Sequence, residues 1–267
     1  MKGDLHIHSY YSDGLFAPAF VVEKAKNSGC DFCALTDHDT VEGIPEADEA
    51  AAKLGLLHIH GVEISTYADG REVHVLGYGM DIRNAGFLEF LRGQQERRRV
   101  RASKMLEKLA LHGIEISADY IAERTYSVIT RSHIARAITD LGYEPDFFTA
   151  ISKWLRYDSP TYVPNDGLAP EEAIAAIHAA GGLAVLAHPV RLWTEPQVRA
   201  AFIKRLADAG LDGLEAVYKR SVPQDVRAFR RLAKQNGLFI TAGADFHGEG
   251  QEIMPRKVIP PFIGKNN

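Results

Sequence analysis

Gly3-Asp4-Leu5-His6-Ile7-His8-Ser9-Tyr10-Tyr11-Ser12-Asp13-Gly14 opens the chain with two histidines one residue apart and then a turn. Read as a β-strand from Asp4 to Ser9, period-two alternation sends His6 and His8 to one face and Leu5 and Ile7 to the other. Asp13-Gly14 is turn sequence, which brings a carboxylate back towards the end of the strand. Two imidazoles and a carboxylate converging there make the first part of a metal site.

Outward from this stretch the same unit repeats. Pro18 to Ser28 reads as a helix with proline in its first turn and Gly29 as its left-handed stop. Phe32-Cys33-Ala34-Leu35-Thr36 is a short apolar strand ending in Asp37-His38-Asp39, and Pro45 to Leu54 is an alanine-rich helix stopped by Gly55. A strand from Leu57 to Ser65 joins Glu72-Val73-His74-Val75-Leu76-Gly77 through Ala68-Asp69-Gly70, a hairpin signal. From Ala85 to Arg156 helical periodicity takes over, with helices expected at 94–112, near Ser117, at 132–141 and at 145–155. Beyond Pro164 the alternation returns, with helices at 170–180, 196–209 and 223–236 and strands at 183–188, 213–217 and 238–245. This order predicts a mainly parallel sheet with helices outside. The final residues, Pro260 to Asn267, read as a tail.

Bulk properties narrow the class. The 267 residues suffice for one α/β barrel or two smaller domains, and 46% hydrophobic with 25% charged residues is ordinary for a globular protein. No apolar run is long enough to span a bilayer, and no basic-then-apolar leader precedes the first strand, so the expected compartment is the cytoplasm. A net charge of −4 argues against a protein that coats duplex DNA. Cys30 and Cys33 form a lone C-x-x-C with no second thiol pair to complete a zinc site, and they read as buried apolar residues. The basic run Arg97-Arg98-Arg99-Val100-Arg101 reads as a solvated helix face.

The chemistry is carried by where the remaining polar residues fall. His6, His8, His38, Glu63, His188, Asp245 and His247 sit at or near strand ends. Asp13 lies in the first strand-to-helix turn, and His74 on the hairpin partner of the Glu63 strand. Parallel α/β barrels place active sites on that rim, and nine such groups without cations to pair them would be costly. The other histidines are controls. His58 and His60 fall on the face opposite Glu63; His112 sits at a helix end and His178 within a helix. His133, in Thr130-Arg131-Ser132-His133, fits two readings: phosphate binding beside Arg131, or a simple helix cap. Asp37 and Asp39 either orient imidazoles or cap the following helix.

The run D-L-H-I-H-S-x-x-S-D-G, followed in order by L-T-D-H-D, G-V-E-I-S, H-V-L-G-Y, A-H-P and A-D-F-H, resembles the PHP (polymerase and histidinol phosphatase) family over almost the whole chain. The T-R-S-H-I-A-R-A segment is similar to its stand-alone nucleotide phosphoesterases, the 3′,5′-nucleoside bisphosphate phosphatases and 5′→3′ exoribonucleases. The resemblance implies a distorted seven-stranded β/α barrel, residues 1–84 and 157–267, with residues 85–156 as a helical insertion forming a substrate-binding cap. It implies three divalent ions, manganese or else iron or zinc. His6, His8, Glu63 and Asp245 would hold one; a bridging Glu63 with His74 and His188 the second; Asp13, His38 and His247 the third. Asp13, His38, Glu63 and His247 would be catalytic, through attack of a metal-activated hydroxide on phosphorus.

Three divalent ions outweigh the carboxylates of Asp13, Glu63 and Asp245, so the cleft of an acidic protein becomes positive and suits a small phosphorylated substrate, a nucleotide or short RNA. Arg131, His133 and Arg191 are the candidates for gripping it, although a plain surface arginine is an equal reading of Arg191. Tyr218-Lys219-Arg220-Ser221 departs from the small, Ser/His-containing loop often found in relatives. Rival readings are a histidinol-phosphate-type phosphatase, a PHP module kept for structure or partner binding, and an amidohydrolase acting on C–N bonds. The complete ligand set argues against the second.

Overall fold

The computed structural model describes residues 1–165, 167–258 and 260–262. Seven strands follow one another in space as they do in sequence. They are β1 (Gly3–Ile7), β2 (Phe32–Leu35), β3 (Leu57–Ala68), β4 (Arg71–Tyr78), β5 (Leu183–Leu186), β6 (Gly213–Tyr218) and β7 (Phe239–Gly243). Pairing is parallel except on both sides of β4, where the Asp69-Gly70 hairpin reverses the chain. The sheet nearly closes on itself: the His8 N–H donates to the Phe246 carbonyl (2.9 Å) and the Phe246 N–H to that of His6 (3.2 Å). The result is a distorted seven-stranded β/α barrel.

Helices α1 (Pro18–Asn27), α2 (Ile44–Leu54), α7 (Pro170–Ala179), α8 (Pro196–Asp208) and α9 (Pro223–Gln235) follow β1, β2, β4, β5 and β6 in the chain. Each carries proline in its first turn, where the missing N–H costs nothing. Between β4 and β5, α3 (Ala85–Ala110), α4 (Ala118–Ala122), α5 (Arg131–Asp140) and α6 (Phe147–Ala150), which runs into a π-helical turn (Ile151–Leu155), bury their own apolar cluster around Met105, Leu109, Ile134 and Ile138. The helix expected from Gln94 starts nine residues earlier, because the Asn84 side chain caps it by accepting from the Phe87 N–H.

Two expectations fail for stated reasons. Leu5 and Ile7 do not share a face. Leu5 joins Phe32, Ala34, Leu76, Tyr78, Val185 and Ala242 inside the barrel, whereas Ile7 packs with Val21 and Val22 of α1 and Ala47 and Ala51 of α2. Pairing with β2 shifts register between Asp4 and Ile7, and that irregularity turns both His6 and His8 towards the barrel mouth. The expected tail is also not free where it is described: Phe262 stacks on Tyr78 at 5.1 Å and Pro260 is buried, whereas residues 263–267 lie outside the described set.

Candidate metal centre

Inside the mouth, above the apolar plug containing Leu5 and Tyr78, five imidazoles converge on Glu63, and Asp13, Asp245 and His247 flank them. Its two oxygens face different partners. Oε2 lies 3.2 Å from both His6 Nε2 and His8 Nε2 and 3.3 Å from His38 Nδ1. Oε1 lies 2.8 Å from His74 Nδ1 and 2.9 Å from His188 Nε2. Asp245 Oδ1 is 3.6 and 3.3 Å from His6 and His8 Nε2. Asp13 Oδ1 lies 3.2 Å from His247 Nε2 and 3.8 Å from His38 Nε2. Three groups have donor atoms mutually within 4.8 Å: His6, His8, Glu63 and Asp245; His8, Asp13, His38 and His247; and His38, Glu63 and His74. His8 and His38 thus each span two groups and His188 falls in none of the three, which the expected one-ion assignments did not anticipate.

Backbone conformation aims these side chains. His188 (φ 26°), Asp245 (φ 51°) and Asp39 (φ 50°) all occupy the left-handed region just past strand ends, a strained choice for residues with a Cβ. Val185 and Ala187 point into the barrel, so strict alternation would turn His188 outwards; the left-handed turn redirects it. Gly243 has to be glycine, since a Cβ there would meet the His6 Cβ at 2.2 Å.

Burial alone would push the Glu63, Asp13 and Asp245 carboxyls up, but the facing imidazoles hold all three well below the usual carboxylate range. They are acceptor-only groups at neutral pH. Even so, His6 Nε2, His8 Nε2, Asp13 Oδ1, His38 Nδ1, Glu63 Oε2 and His188 Nδ1 are buried without a hydrogen-bond partner among the described residues. Contacts near 3.2 Å that are misaligned for hydrogen bonding are what mixed imidazole and carboxylate donors make around cations. The donor set therefore fits divalent metal ions, and manganese, iron and zinc all accept it.

Around this cluster lies a supporting layer that sequence reading mostly missed. Glu215 on β6 is buried; its Oε1 lies 3.0 Å from His6 Nδ1, and its Oε2 accepts the His188 N–H at 2.6 Å. One carboxylate thus fixes the His6 ring and the strained His188 backbone. The signal was an acid in an otherwise apolar strand, Gly213-Leu214-Glu215-Ala216-Val217. Asp4 closes the β1–β7 seam by accepting from the N–H groups of His6, Ala244 and Met254, and burial pushes its carboxyl up to about 6. The Tyr218 hydroxyl donates to Asp245 Oδ2 (3.0 Å), and Lys219 Nζ donates to the Asp245 carbonyl (2.5 Å).

Asp37 neither orients an imidazole directly nor caps a helix. It accepts from the Ser9 N–H and from the hydroxyls of Ser9 and Ser12, pinning the loop that carries Asp13. Asp39 accepts from the Ser65 N–H (2.9 Å) and from Arg98 Nε (2.6 Å), tying β3 to α3. The basic run is therefore not a uniform solvated face: Arg98 is part-buried against Asp39, and Arg101 Nη2 lies 2.6 Å from Glu72 Oε1, while Arg97 and Arg99 stay exposed. Consecutive helical residues point about 100° apart, so these four arginines, packed into little more than one turn, cannot all face one way.

Of the expected substrate residues, Arg131 pairs with Glu72 Oε2 at 2.5 Å, bridging α5 to β4. His133 Nδ1 accepts the Thr130 N–H (3.1 Å) within the α5 capping box, so only its other ring nitrogen remains for a ligand. Arg191, half exposed, stands 3.6 Å from Asp245 Oδ2 at the rim. His58 and His60 point away from Glu63, both onto the Asp48 carboxylate of α2. His178 pairs with Asp212, and His112 packs beside Trp154.

Known proteins resemble this chain over nearly its whole length. A 5′-3′ exoribonuclease of Haemophilus influenzae is 35% identical over 92% of this chain and 90% of its own length. A 3′,5′-nucleoside bisphosphate phosphatase of Chromobacterium violaceum is 34% identical over 97% and 93%. A solved structure from Chromobacterium violaceum, described as an amidohydrolase with bound sulfate and no metal, matches with a TM-score of 0.89 at 32% identity, covering 97% of this chain and 93% of that one. The model of the PHP domain matches residues 4–157, and with barrel, ligand rim and relatives in agreement, the chain belongs to the PHP domain family.

Proposed function

We propose that this protein is a metal-dependent phosphoesterase that releases phosphate or mononucleotide from a 3′,5′-nucleoside bisphosphate or from the 5′ end of a short oligoribonucleotide. The observation that carries the reading is Glu63, whose two oxygens divide five imidazoles between them, while its own Oε2 and five buried ligand atoms around it lack hydrogen-bond partners among the described residues. His6, His8, Glu63 and Asp245 would hold one divalent ion, Glu63 with His74 and His188 a second, and Asp13, His38 and His247 a third, with manganese the preferred metal. Bound there, such ions lower the pKa of water towards about 7 and neutralise charge on a phosphoryl group.

The chain's own residues supply the rest. Glu215, Asp37 and Tyr218 hold His6, the Asp13 loop and Asp245 in place, so little reorganisation is left for the reaction. Arg191 and Lys219 put two cations beside Asp245 at the rim, on the side from which a phosphate would enter. Residues 85–156 serve as the substrate cap: Ser132 and Arg136 of α5 reach the Asp13 side chain and carbonyl. Arg131 and His133 contribute to that cap through Glu72 and Thr130, with Arg191 and Lys219 the nearer phosphate groups. No helix among the described residues is long and apolar enough to cross a membrane, and the free, buried thiols of Cys30 and Cys33 suit a reducing compartment such as the cytoplasm.

The test is to incubate the manganese-loaded protein with 3′-phosphoadenosine 5′-phosphate, 5′-phosphorylated oligoribonucleotides and histidinol phosphate, following inorganic phosphate and mononucleotide. Turnover of one of the first two is expected. Preference for histidinol phosphate would replace the substrate class, and no turnover of any would refute the phosphoesterase reading.

A further inference from the structure

An aromatic cluster stands at the outer edge of the same rim, and no metal or phosphate chemistry accounts for it. Tyr126, in the segment between α4 and α5, is 67% exposed, yet its ring is held in a parallel stack on Tyr10, centroids 4.0 Å apart and planes 18° from parallel. Tyr10 is itself flanked by Tyr11 (5.3 Å), and its hydroxyl reaches Glu46 of α2 at 3.4 Å. A ring this exposed buries too little surface to be there for the core. A fixed, solvent-facing aromatic plane instead costs little entropy when a flat partner lands on it.

The cluster is wired to the metal centre. Tyr10 and Tyr11 lie in the loop that leads to Asp13, and the Val128 N–H donates to the Tyr11 carbonyl (3.2 Å). Ser127 Oγ reaches Thr40 Oγ1 (3.3 Å), two residues past His38, and Ser132 Oγ donates to Asp13 Oδ2 (3.0 Å). One segment of the cap therefore carries Tyr126 at one end and touches the candidate ligand Asp13 at the other. Thr125 and Ser127, the neighbours of Tyr126, line a cleft with Gln95 and Arg99 of α3. Gln95 Nε2 there donates to the Asp39 carbonyl and Thr125 Oγ1 to that of Ile121, which leaves the Gln95 amide oxygen and the exposed Arg99 guanidinium, itself beside Glu96, to face a base edge or a backbone phosphate.

We propose that Tyr126, backed by Tyr10 and Tyr11, is a stacking subsite for the nucleobase next to the reacting end of a single-stranded oligoribonucleotide. The inference rests on the oligoribonucleotide reading above and gives it a specificity element. Tyr126 precedes Ser127 and Val128, which contact Thr40 and the Tyr11 carbonyl in the loops that carry His38 and Asp13, and on this proposal it takes the following base and not the nucleotide being attacked. Stacking is tolerant of sequence because every base presents a π face, so little base preference is expected at this position.

The experiment compares a 5′-phosphorylated oligoribonucleotide with the same strand lacking the base at its second nucleotide, on the manganese-loaded wild type, Tyr126→Ala and Tyr126→Trp. The intact strand should exceed the abasic one in kcat/KM by about tenfold in the wild type, by about onefold in Tyr126→Ala, and again by about tenfold in Tyr126→Trp. Anisotropy of the two labelled strands in EDTA reads the same ratio in binding without turnover, so the subsite stands or falls even if the phosphoesterase reading fails. Equal handling of both strands by the wild type would overturn the proposal. So would a ratio that survives in Tyr126→Ala, which would give the ring a purely structural role.

Discussion

Glu215 illustrates how much of the site depends on a residue that binds nothing but its neighbours. Its carboxylate accepts the His188 N–H and faces His6 Nδ1, fixing the ring so that Nε2 points at Glu63 and Asp245. Glu215→Gln keeps the shape but weakens that hold, and partners of this kind typically cost 10–100-fold in metal affinity or activity when lost. The expected result is a protein with wild-type circular dichroism whose manganese affinity falls by roughly that factor; an unchanged affinity would contradict the role. Asp13→Ala should remove about one ion per chain by elemental analysis and abolish turnover, while the fold, built below the rim, stays intact. Full activity in that variant would refute its role.

The nine candidate ligands were legible because most stand at a strand end or in a turn, with Glu63 and His74 on the two strands of one hairpin, whereas Glu215, Asp4 and Arg98 were not. Their functions depend on which way a side chain points after a register shift or a helix rotation. Arg98 lies in a run of four arginines, and only packing against Asp39 separates it from Arg97 and Arg99.

At the scale of elements, alternation and capping predicted where strands and helices would fall and misjudged where irregularity would pay. The register shift in β1 could not be read from Asp4-Leu5-His6-Ile7, since every residue there is compatible with regular pleating. Helix α5 is the element whose chemistry the sequence left divided, and its capping box engages His133 Nδ1 while leaving the other ring nitrogen open. Burial lowers the His133 imidazole to about 4, below its unfolded value near 6.5. The unfolded chain therefore takes up this proton first. Stability from the neutral cap is fully present above about pH 6.5, declines as pH falls and levels off below about 4, an effect of order 3 kcal/mol at most. His133→Gln retains an acceptor for the Thr130 N–H and does not titrate. In EDTA, urea unfolding at pH 4.5 and pH 7 should show the variant losing about 2 kcal/mol less than the wild type; parallel losses would argue against the buried neutral imidazole.

Across the whole molecule, strands alternating with helices foretold the barrel, and the Asp69-Gly70 hairpin foretold its antiparallel interruption. What composition could not convey is that the chain's end helps close the barrel: Phe262 stacks on Tyr78, and Gly3 pairs with Arg256. Nor could it convey that the insertion is tied to the rim through Glu72, Asp39 and Asp13. Those ties fix the insertion against the rim of the barrel where the candidate ligands gather. The central claim is that divalent ions held by this rim drive phosphoester hydrolysis. It is tested most directly by stripping the protein of metal and titrating manganese back while measuring phosphate release from 3′-phosphoadenosine 5′-phosphate. The account predicts no release from the stripped protein and a rate that rises and saturates with added manganese; release at full rate in excess EDTA would contradict it.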